Sequence, residues 1–235
     1  MSSKMTRCES CPSQGNGIFC ELEHMELSDI SDHKVNNTYK KGQVLFVEGN
    51  PTYGIYCVNK GNIKITQMSP DGKESIIRIA QAGDVIGHRS LFTSKHYQAS
   101  ATAIEEAHVC FIDKDYILKL IETKPSVSFN LISRLSRDLG AAEHRISSFS
   151  QKNVRERLAE LLLLLKESHG EPTEKGTFIN IKLTRDEMAS IIGTAPETLI
   201  RFMSEIKSLG YIEQEGKKIF ITDEKALIEF AGLEY

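Results

Sequence analysis

The stretch Thr184-Arg-Asp-Glu-Met-Ala-Ser-Ile-Ile-Gly-Thr-Ala-Pro-Glu-Thr-Leu-Ile-Arg201 writes two helices and the tight turn between them. Thr184 with Glu187 three residues on is a capping-box start. Met188, Ile191 and Ile192 give the first helix an apolar face, and Ala189 is small enough for close helix crossing. Gly193-Thr194 supplies the turn. Pro196 suits the first turn of a second helix, which runs to Leu209 and stops at Gly210. Tyr211-Ile212, Glu213 to Lys218 and Ile219 to Thr222 read as strand, turn and strand. Helix, glycine turn, helix and hairpin make a winged helix-turn-helix, whose second helix enters the major groove of DNA with its N-terminal residues nearest the bases. Thr194, Pro196, Glu197, Ile200 and Arg201 are therefore the base-facing candidates, with Arg201 suited to the O6 and N7 of guanine. Lys217 and Lys218 in the wing turn are candidates for phosphate. Glu197 and Arg201 are also spaced for an i,i+4 ion pair on a solvated helix face.

Working back from this module, Thr177 to Ile181 reads as a short strand, and Ser168 to Gly176 as a loop by composition. Asn153 to Glu167 reads as a helix with Leu158, Leu161, Leu162 and Leu165 on its apolar side. Before it, Ile132, Leu135, Leu139, Ala142, Ile146 and Phe149 recur at alternating gaps of 3 and 4. This is an a/d seam, the pattern two helices need to pack along their length, and it predicts a self-paired dimer helix. From Lys40 to Asp113 the chain turns to short strands. Candidates are Val44 to Val47, Gly54 to Val58, Ile63 to Gln67, Ser75 to Ala80 and His108 to Ile112, with turns such as Pro70-Asp71-Gly72 between them. Many short strands with regular turn signals predict a β sandwich or barrel.

The five cysteines are unevenly placed. Cys8, Cys11 and Cys20 crowd the first 20 residues, Cys110 lies in a candidate strand, and Cys57 reads as a small buried hydrophobe in another. Four thiolates from Cys8, Cys11, Cys20 and Cys110 could make a closed site for zinc or an iron–sulfur cluster. The opening residues lack the apolar core of a secretory signal, and the longest apolar run, Leu161 to Leu165, is far short of a membrane span. A cytoplasmic place without a membrane partner is expected, where thiols stay reduced. The net charge of −3 gives no global positive field, and Lys182 to Lys218 holds six basic and six acidic residues, so the DNA reading rests on pattern. No nucleophile–base constellation appears, and Cys8-x2-Cys11 lacks a βαβ context, so no enzyme is expected.

Taken in order, these parts resemble the CRP/FNR family of bacterial transcription regulators. The resemblance rests on Thr184 to Arg201, on Lys152-Asn-Val-Arg-Glu-Arg-Leu-Ala159 and on Ala82-Gly-Asp-Val-Ile-Gly-His-Arg-Ser-Leu-Phe92. It implies an α+β fold: an N-terminal cyclic-nucleotide-binding-type β-roll (a double-stranded jelly roll), a long dimerisation helix and a C-terminal winged helix-turn-helix. The implied division is a Cys-rich arm over 1–27, a β-roll sensor over 28–122, a dimerisation helix over 123–150 and a DNA-binding domain over 151–235. A homodimer on an inverted-repeat operator, with RNA polymerase as a further partner, is implied as well. Two branches compete. Members that bind cyclic AMP carry Gly-Glu and Arg-Ser where this chain has Gly87-His88 and Gln98-Ala99, so classical cyclic-nucleotide binding is not expected. His88 and Arg89 read as surface polar residues of a loop. FNR-like members hold a [4Fe–4S] cluster that oxygen or nitric oxide degrades, and Cys8, Cys11, Cys20 and Cys110 match their ligands. The alternatives are zinc, a thiol switch, or no cofactor with a small organic effector in the β-roll. Three departures stand out. The gap before Cys20 is longer than in that branch, Ala142 occupies a seam position where an acidic residue is common, and Ile200 replaces a serine.

Overall fold

The computed structural model describes residues 7–93 and 95–233. They form two compact units that divide between Leu139 and Gly140, inside one long helix.

The first unit opens with two 3-10 turns, Cys8–Ser10 and Gln14–Asn16, and helix α1 (His24–His33). Eight strands follow: β1 (Lys34–Tyr39), β2 (Val44–Phe46), β3 (Gly54–Lys60), β4 (Ile63–Met68), β5 (Glu74–Ala80), β6 (Val85–Ile86), β7 (Ser100–Ala103) and β8 (Ala107–Asp113). Helix α2 (His88–Thr93) interrupts them, and α3 (Lys114–Thr123) and α4 (Pro125–Gln151) close the unit. The strands make two antiparallel sheets, ordered β1-β8-β3-β6 and β2-β7-β4-β5. The five strands read from sequence are all present, and the mixed helix-and-sheet β-roll stands as expected. Strands β1, β6 and β7 and helices α1 and α2 lay outside that reading.

Side-chain alternation along β3 and β8 sorts residues to two faces. Val58, Ile86, Ala107 and Val109 point toward the second sheet, where they pack with Phe46, Ile63, Ile65 and Ala101. Ile55, Val85 and Ile112 belong to a separate core on the other face, made with Ile18, Phe19, Leu22, Leu27 and Ile30 of the N-terminal segment and with Ile117, Leu120, Val127 and Leu131 of α3 and α4. Full burial of such a side chain stabilises by roughly 1.5–3 kcal/mol. Ile18, Phe19 and Leu22 thus fasten the cysteine-bearing segment to the sheet.

The second unit holds the C-terminal end of α4, then α5 (Val154–His169), β9 (Gly170–Thr173), β10 (Gly176–Ile179), α6 (Arg185–Ile192), α7 (Pro196–Ser208), β11 (Ile212–Glu215), β12 (Lys218–Ile221) and α8 (Glu224–Phe230). The stretch read as a loop over 168–176 is a helix end and a strand. β9 pairs with β10 in the sheet β11-β12-β10-β9. Gly170 permits the corner, since a Cβ there would meet the Lys166 carbonyl oxygen at 2.3 Å. Leu158, Leu162, Met188, Leu199, Met203 and Ile206 form the core.

Candidate functional site

Strand register decides which side chains share the outer face of the first sheet. Asn36 of β1 is the partner of Cys110 on β8. Cys110 is in turn the partner of Cys57 on β3, and Cys57 of Val85 on β6. The row Asn36, Cys110, Cys57, Val85 therefore crosses four strands on one face. Lys34 and Asn59 stand two positions from Asn36 and Cys57 and share that face.

The N-terminal segment covers this face and leaves a small cavity of about 50 Å³ lined by Cys8, Cys11, Cys57 and Cys110, with Lys34 and Asn59. Apolar walls from Ile18, Phe19, Val85 and Ile112 complete it. Ser31 on α1 accepts from the Cys8 amide at 2.7 Å and donates to Glu9 at 2.8 Å, which pins the first 3-10 turn. Ser13 Oγ donates to the Asn59 carbonyl at 3.1 Å. Asn59 Nδ2 donates to Cys11 Sγ at 3.0 Å, and Lys34 Nζ to Cys110 Sγ at 3.5 Å. Cys110 Sγ donates to Asn36 Oδ1 at 3.1 Å.

Of the four sequence-selected thiols, Cys8, Cys11 and Cys110 meet at the cavity, and Cys20 does not line it. Cys20 Sγ is 3.5 Å from Asn130 Nδ2 on α4 instead. Cys57, read from sequence as a core hydrophobe, takes a place on the cavity wall beside Cys110. Burial pushes the Cys57 thiol up well above its ordinary pKa, and Cys110 and Cys8 push it further. Burial also raises Cys110, against the pull of Lys34. Among the described residues, no three Cys, His, Asp or Glu side chains are gathered into a group able to hold a metal ion as they stand. The donor chemistry of the cavity nonetheless fits a thiolate-held group: four thiols, two N–H donors to sulfur and apolar walls.

A second buried polar cluster lies on the same unit. Arg78 of β5 donates to Asp138 of α4 at 2.6 Å, and Arg134 Nε donates to the other Asp138 oxygen at 3.0 Å. Arg134 also pairs with Asp84. His88 is 2% exposed, with Nε2 at 3.5 Å from Asp138. The surface reading of His88 is thus corrected: α2 turns it inward onto Asp138, while Arg89 stays exposed. Burial alone would raise the Asp138 carboxyl, but the neighbouring His88 imidazole and the charges of Arg78 and Arg134 hold it down at about 2.

Along α4, Ile132, Leu139 and Ile146 of the expected seam are exposed at 60%, 59% and 70%, and Ala142 is exposed beside them. Phe129, which the periodicity missed, extends the apolar stripe. Leu135 packs against the core of its own unit. Phe149 is engaged within the chain. Its ring lies where a Cβ on Gly193 would sit 2.6 Å away, with Arg157 over it at 4.9 Å.

In the second unit Thr184 caps α6 through the expected reciprocal box with Glu187. Gly193 takes φ +66°, the left-handed turn that glycine allows. Arg145 and Arg157 donate to the last carbonyls of α6, at Ile191 (2.6 Å) and Ile192 (3.0 Å). Leu199, Met203 and Ile206 bury one side of α7. Glu197, Ile200 and Arg201 are exposed on the other, Thr194 and Pro196 are half-buried at its start, and Lys217 and Lys218 are exposed in the wing turn. The Arg201 guanidinium lies 4.8 Å from the Phe202 ring centre, and among the described residues no ion pair joins it to Glu197.

A β-roll followed by a winged helix-turn-helix defines a DNA-binding regulator with a sensor unit. Residues 36–124 match the cyclic nucleotide-binding domain, and residues 156–230 match the Crp-like helix-turn-helix domain. The chain is 28% identical over 213 residues to the CRP-like cAMP-activated global transcriptional regulator of Mycobacterium tuberculosis, covering 90% of this chain and 94% of that one. It is 27% identical over 212 residues to the fumarate and nitrate reduction regulatory protein of Escherichia coli, covering 90% and 84%. The solved structure of FixK2 from Bradyrhizobium japonicum shares the fold with a TM-score of 0.76 at 20% identity, covering 86% of this chain and 99% of that one. The chain belongs to the CRP/FNR family of transcription regulators. No helix among the described residues is long and apolar enough to cross a membrane.

Proposed function

We propose that the chain is a homodimeric DNA-binding regulator gated by a cysteine-held [4Fe–4S] cluster that responds to oxygen, nitric oxide or redox state. The observation that carries this is the gathering of Cys8, Cys11 and Cys110 with a further thiol around one apolar cavity on the β-roll. When bound, such a cluster supplies a redox- and gas-sensitive set of iron–thiolate bonds. The chain's own residues do the rest. Ile18 and Phe19 pack in the same core as Val127 and Leu131 of α4, so a change in the cysteine segment bears on that helix. Asn59 and Lys34 aim N–H donors at two sulfurs, which tunes them, and the apolar walls exclude water. The charged partners of a cyclic nucleotide are missing: Gln98 stands at the phosphate position and His88 is turned onto Asp138.

Pairing through Phe129, Ile132, Leu139 and Ile146 covers apolar surface that a single chain leaves in water. Protein purified without oxygen should be brown, with about four iron and four sulfide per chain. Cys110→Ser should lose most of both. Colourless protein holding stoichiometric zinc contradicts the cluster and favours zinc, the alternative in this same thiol set.

On DNA, two recognition helices related by a two-fold axis call for half-sites about one helical turn apart. Arg201, free of Glu197, is the guanine reader. Arg201→Ala should remove roughly 1–3 kcal/mol of discrimination at one symmetric position, read by selection on randomised duplexes. Equal enrichment of one sequence by both proteins contradicts the assignment. Lys217 and Lys218 serve affinity through phosphate, with a salt dependence and no sequence preference.

A further inference from the structure

We infer that Cys57 is the fourth thiolate of the site, in the place that resemblance gives to Cys20. The inference rests on the thiolate-site reading above and deepens it.

Register is the first support. Cys57 and Cys110 are direct cross-strand partners on β3 and β8, with side chains on one face of the sheet. Direct partners hold their Cβ atoms about 4.5–5.5 Å apart, a spacing that brings two sulfurs to one metal group. Neither can leave that face without a one-residue slip of the ladder, which would also take Ile55 and Ile112 out of the core they share with the N-terminal segment. The pair is a fixed half-site.

The second support is the covering segment. The first 3-10 turn brings Cys8 and Cys11 over the pair, so the cavity wall holds four of the chain's five thiols. Cys20 does not line the cavity, whereas its neighbours Ile18 and Phe19 do and belong to the core. Its sulfur sits by Asn130 of α4.

Chemistry is the third. A single buried cysteine serves as a small hydrophobe, which accounts for Cys57 alone. Four thiols on one small cavity, with an ammonium and an amide N–H directed at two of them, form a set that wants a cation. As the thiols stand they do not yet gather around one ion. The sheet pair stays, and loading draws the Cys8–Cys11 turn toward it.

The test is anaerobic reconstitution of the full chain with ferrous iron and sulfide, for the wild type, Cys57→Ser and Cys20→Ser. Bound iron and sulfide and the visible spectrum are the readouts. Cys57→Ser should fall severalfold below wild type, and Cys20→Ser should match wild type. Circular dichroism melts of the metal-free variants check folding. Should Cys57→Ser fail to fold, alkylation of loaded wild type by N-ethylmaleimide, mapped by mass spectrometry, decides instead. Cys57 should gain protection on loading, and Cys20 should react at its metal-free rate. A Cys20→Ser protein that cannot load, a well-folded Cys57→Ser protein that loads fully, or loading that protects Cys20 and leaves Cys57 unchanged overturns the inference alone. A wild type that takes up neither iron nor sulfide overturns the cluster reading and the inference together.

Discussion

Two buried polar clusters sit on the β-roll unit, and their chemistry is opposite. Around Asp138, two guanidinium groups and an imidazole surround one carboxylate, and Asp84 takes the second side of Arg134. Charge meets charge within the chain. At the thiol cavity, four sulfurs share one ammonium and one amide donor, and Cys110 donates to Asn36 Oδ1. The first cluster pairs its charges within the chain and holds α4 to the roll, with Arg78 Nε and the two His88 ring nitrogens left without hydrogen-bond partners. A charge-paired cluster makes structure, while a set of soft donors suits the receptor role proposed for it, and these differ in what a substitution does to the metal-free chain.

The largest effect should come from the charge-paired cluster. Removing one partner from a buried ion pair typically costs roughly 3–5 kcal/mol. Asp138→Ala should fall near the low end, about 3 kcal/mol, because Arg78 keeps the Val85 carbonyl at 3.2 Å and Arg134 keeps Asp84. Cys11→Ser, which leaves Asn59 an acceptor of similar size, should stay within about 0.5 kcal/mol in the metal-free protein. Urea unfolding followed by circular dichroism reads both. Equal losses would dissolve the contrast between a structural cluster and a receptor.

Acid sharpens the same contrast. The folded Asp138 carboxyl is depressed from its ordinary 3.8 to about 2. A depressed carboxyl contributes stability that is fully present above its unfolded pKa and is lost as pH falls through the folded value. Between about pH 5 and pH 2, wild type should therefore lose roughly 2 kcal/mol more than Asp138→Asn, which has no such carboxyl to protonate. Burial raises the Cys57 and Cys110 thiols, which puts them further from this window. Parallel pH profiles for the two proteins would remove Asp138 from the account.

These clusters also mark where reading the chain residue by residue stops. The winged helix was legible because its signals are local: Thr184 and Glu187 three apart, Gly193 at a left-handed turn, Pro196 at a helix start. Strands β3, β4, β5 and β8 announced themselves with apolar alternation. Strand β1 did not, because Lys34-Val-Asn-Asn-Thr-Tyr39 is a polar sheet edge, and β7 is a run of small residues inside the second sheet. The β9 strand hid in loop-like composition. His88 looked like a surface residue since the partner that turns it inward, Asp138, lies 50 positions on. Cys57 was indistinguishable from a core filler until the ladder set it opposite Cys110. Composition tells what a residue tolerates, and register tells what it meets. The thiol set became visible only through register.

The smallest effect concerns the one charged side chain on the cavity wall. Lys34 is held there by β1, its ammonium 3.5 Å from Cys110 Sγ. A positive charge at that distance favours the thiolate, so it works against the rise that burial imposes on Cys110. Lys34→Met keeps an unbranched apolar stem and removes the charge. Burial then acts unopposed by that ammonium, and the Cys110 thiol should titrate at higher pH than in wild type. Each unit of such a rise is about 1.4 kcal/mol, tenfold in thiolate at a pH below both values. Ultraviolet thiolate absorbance across an alkaline titration of the metal-free protein, compared with and without Cys110→Ser to assign the step, measures it. The same change should slow metal uptake most at the lower end of the pH range, where the first proton is hardest to release. An unmoved Cys110 step would show the ammonium screened from the sulfur. The cavity would then lack the one charge that distinguishes it from a simple apolar pocket, and the contrast with the Asp138 cluster would rest on the thiols alone.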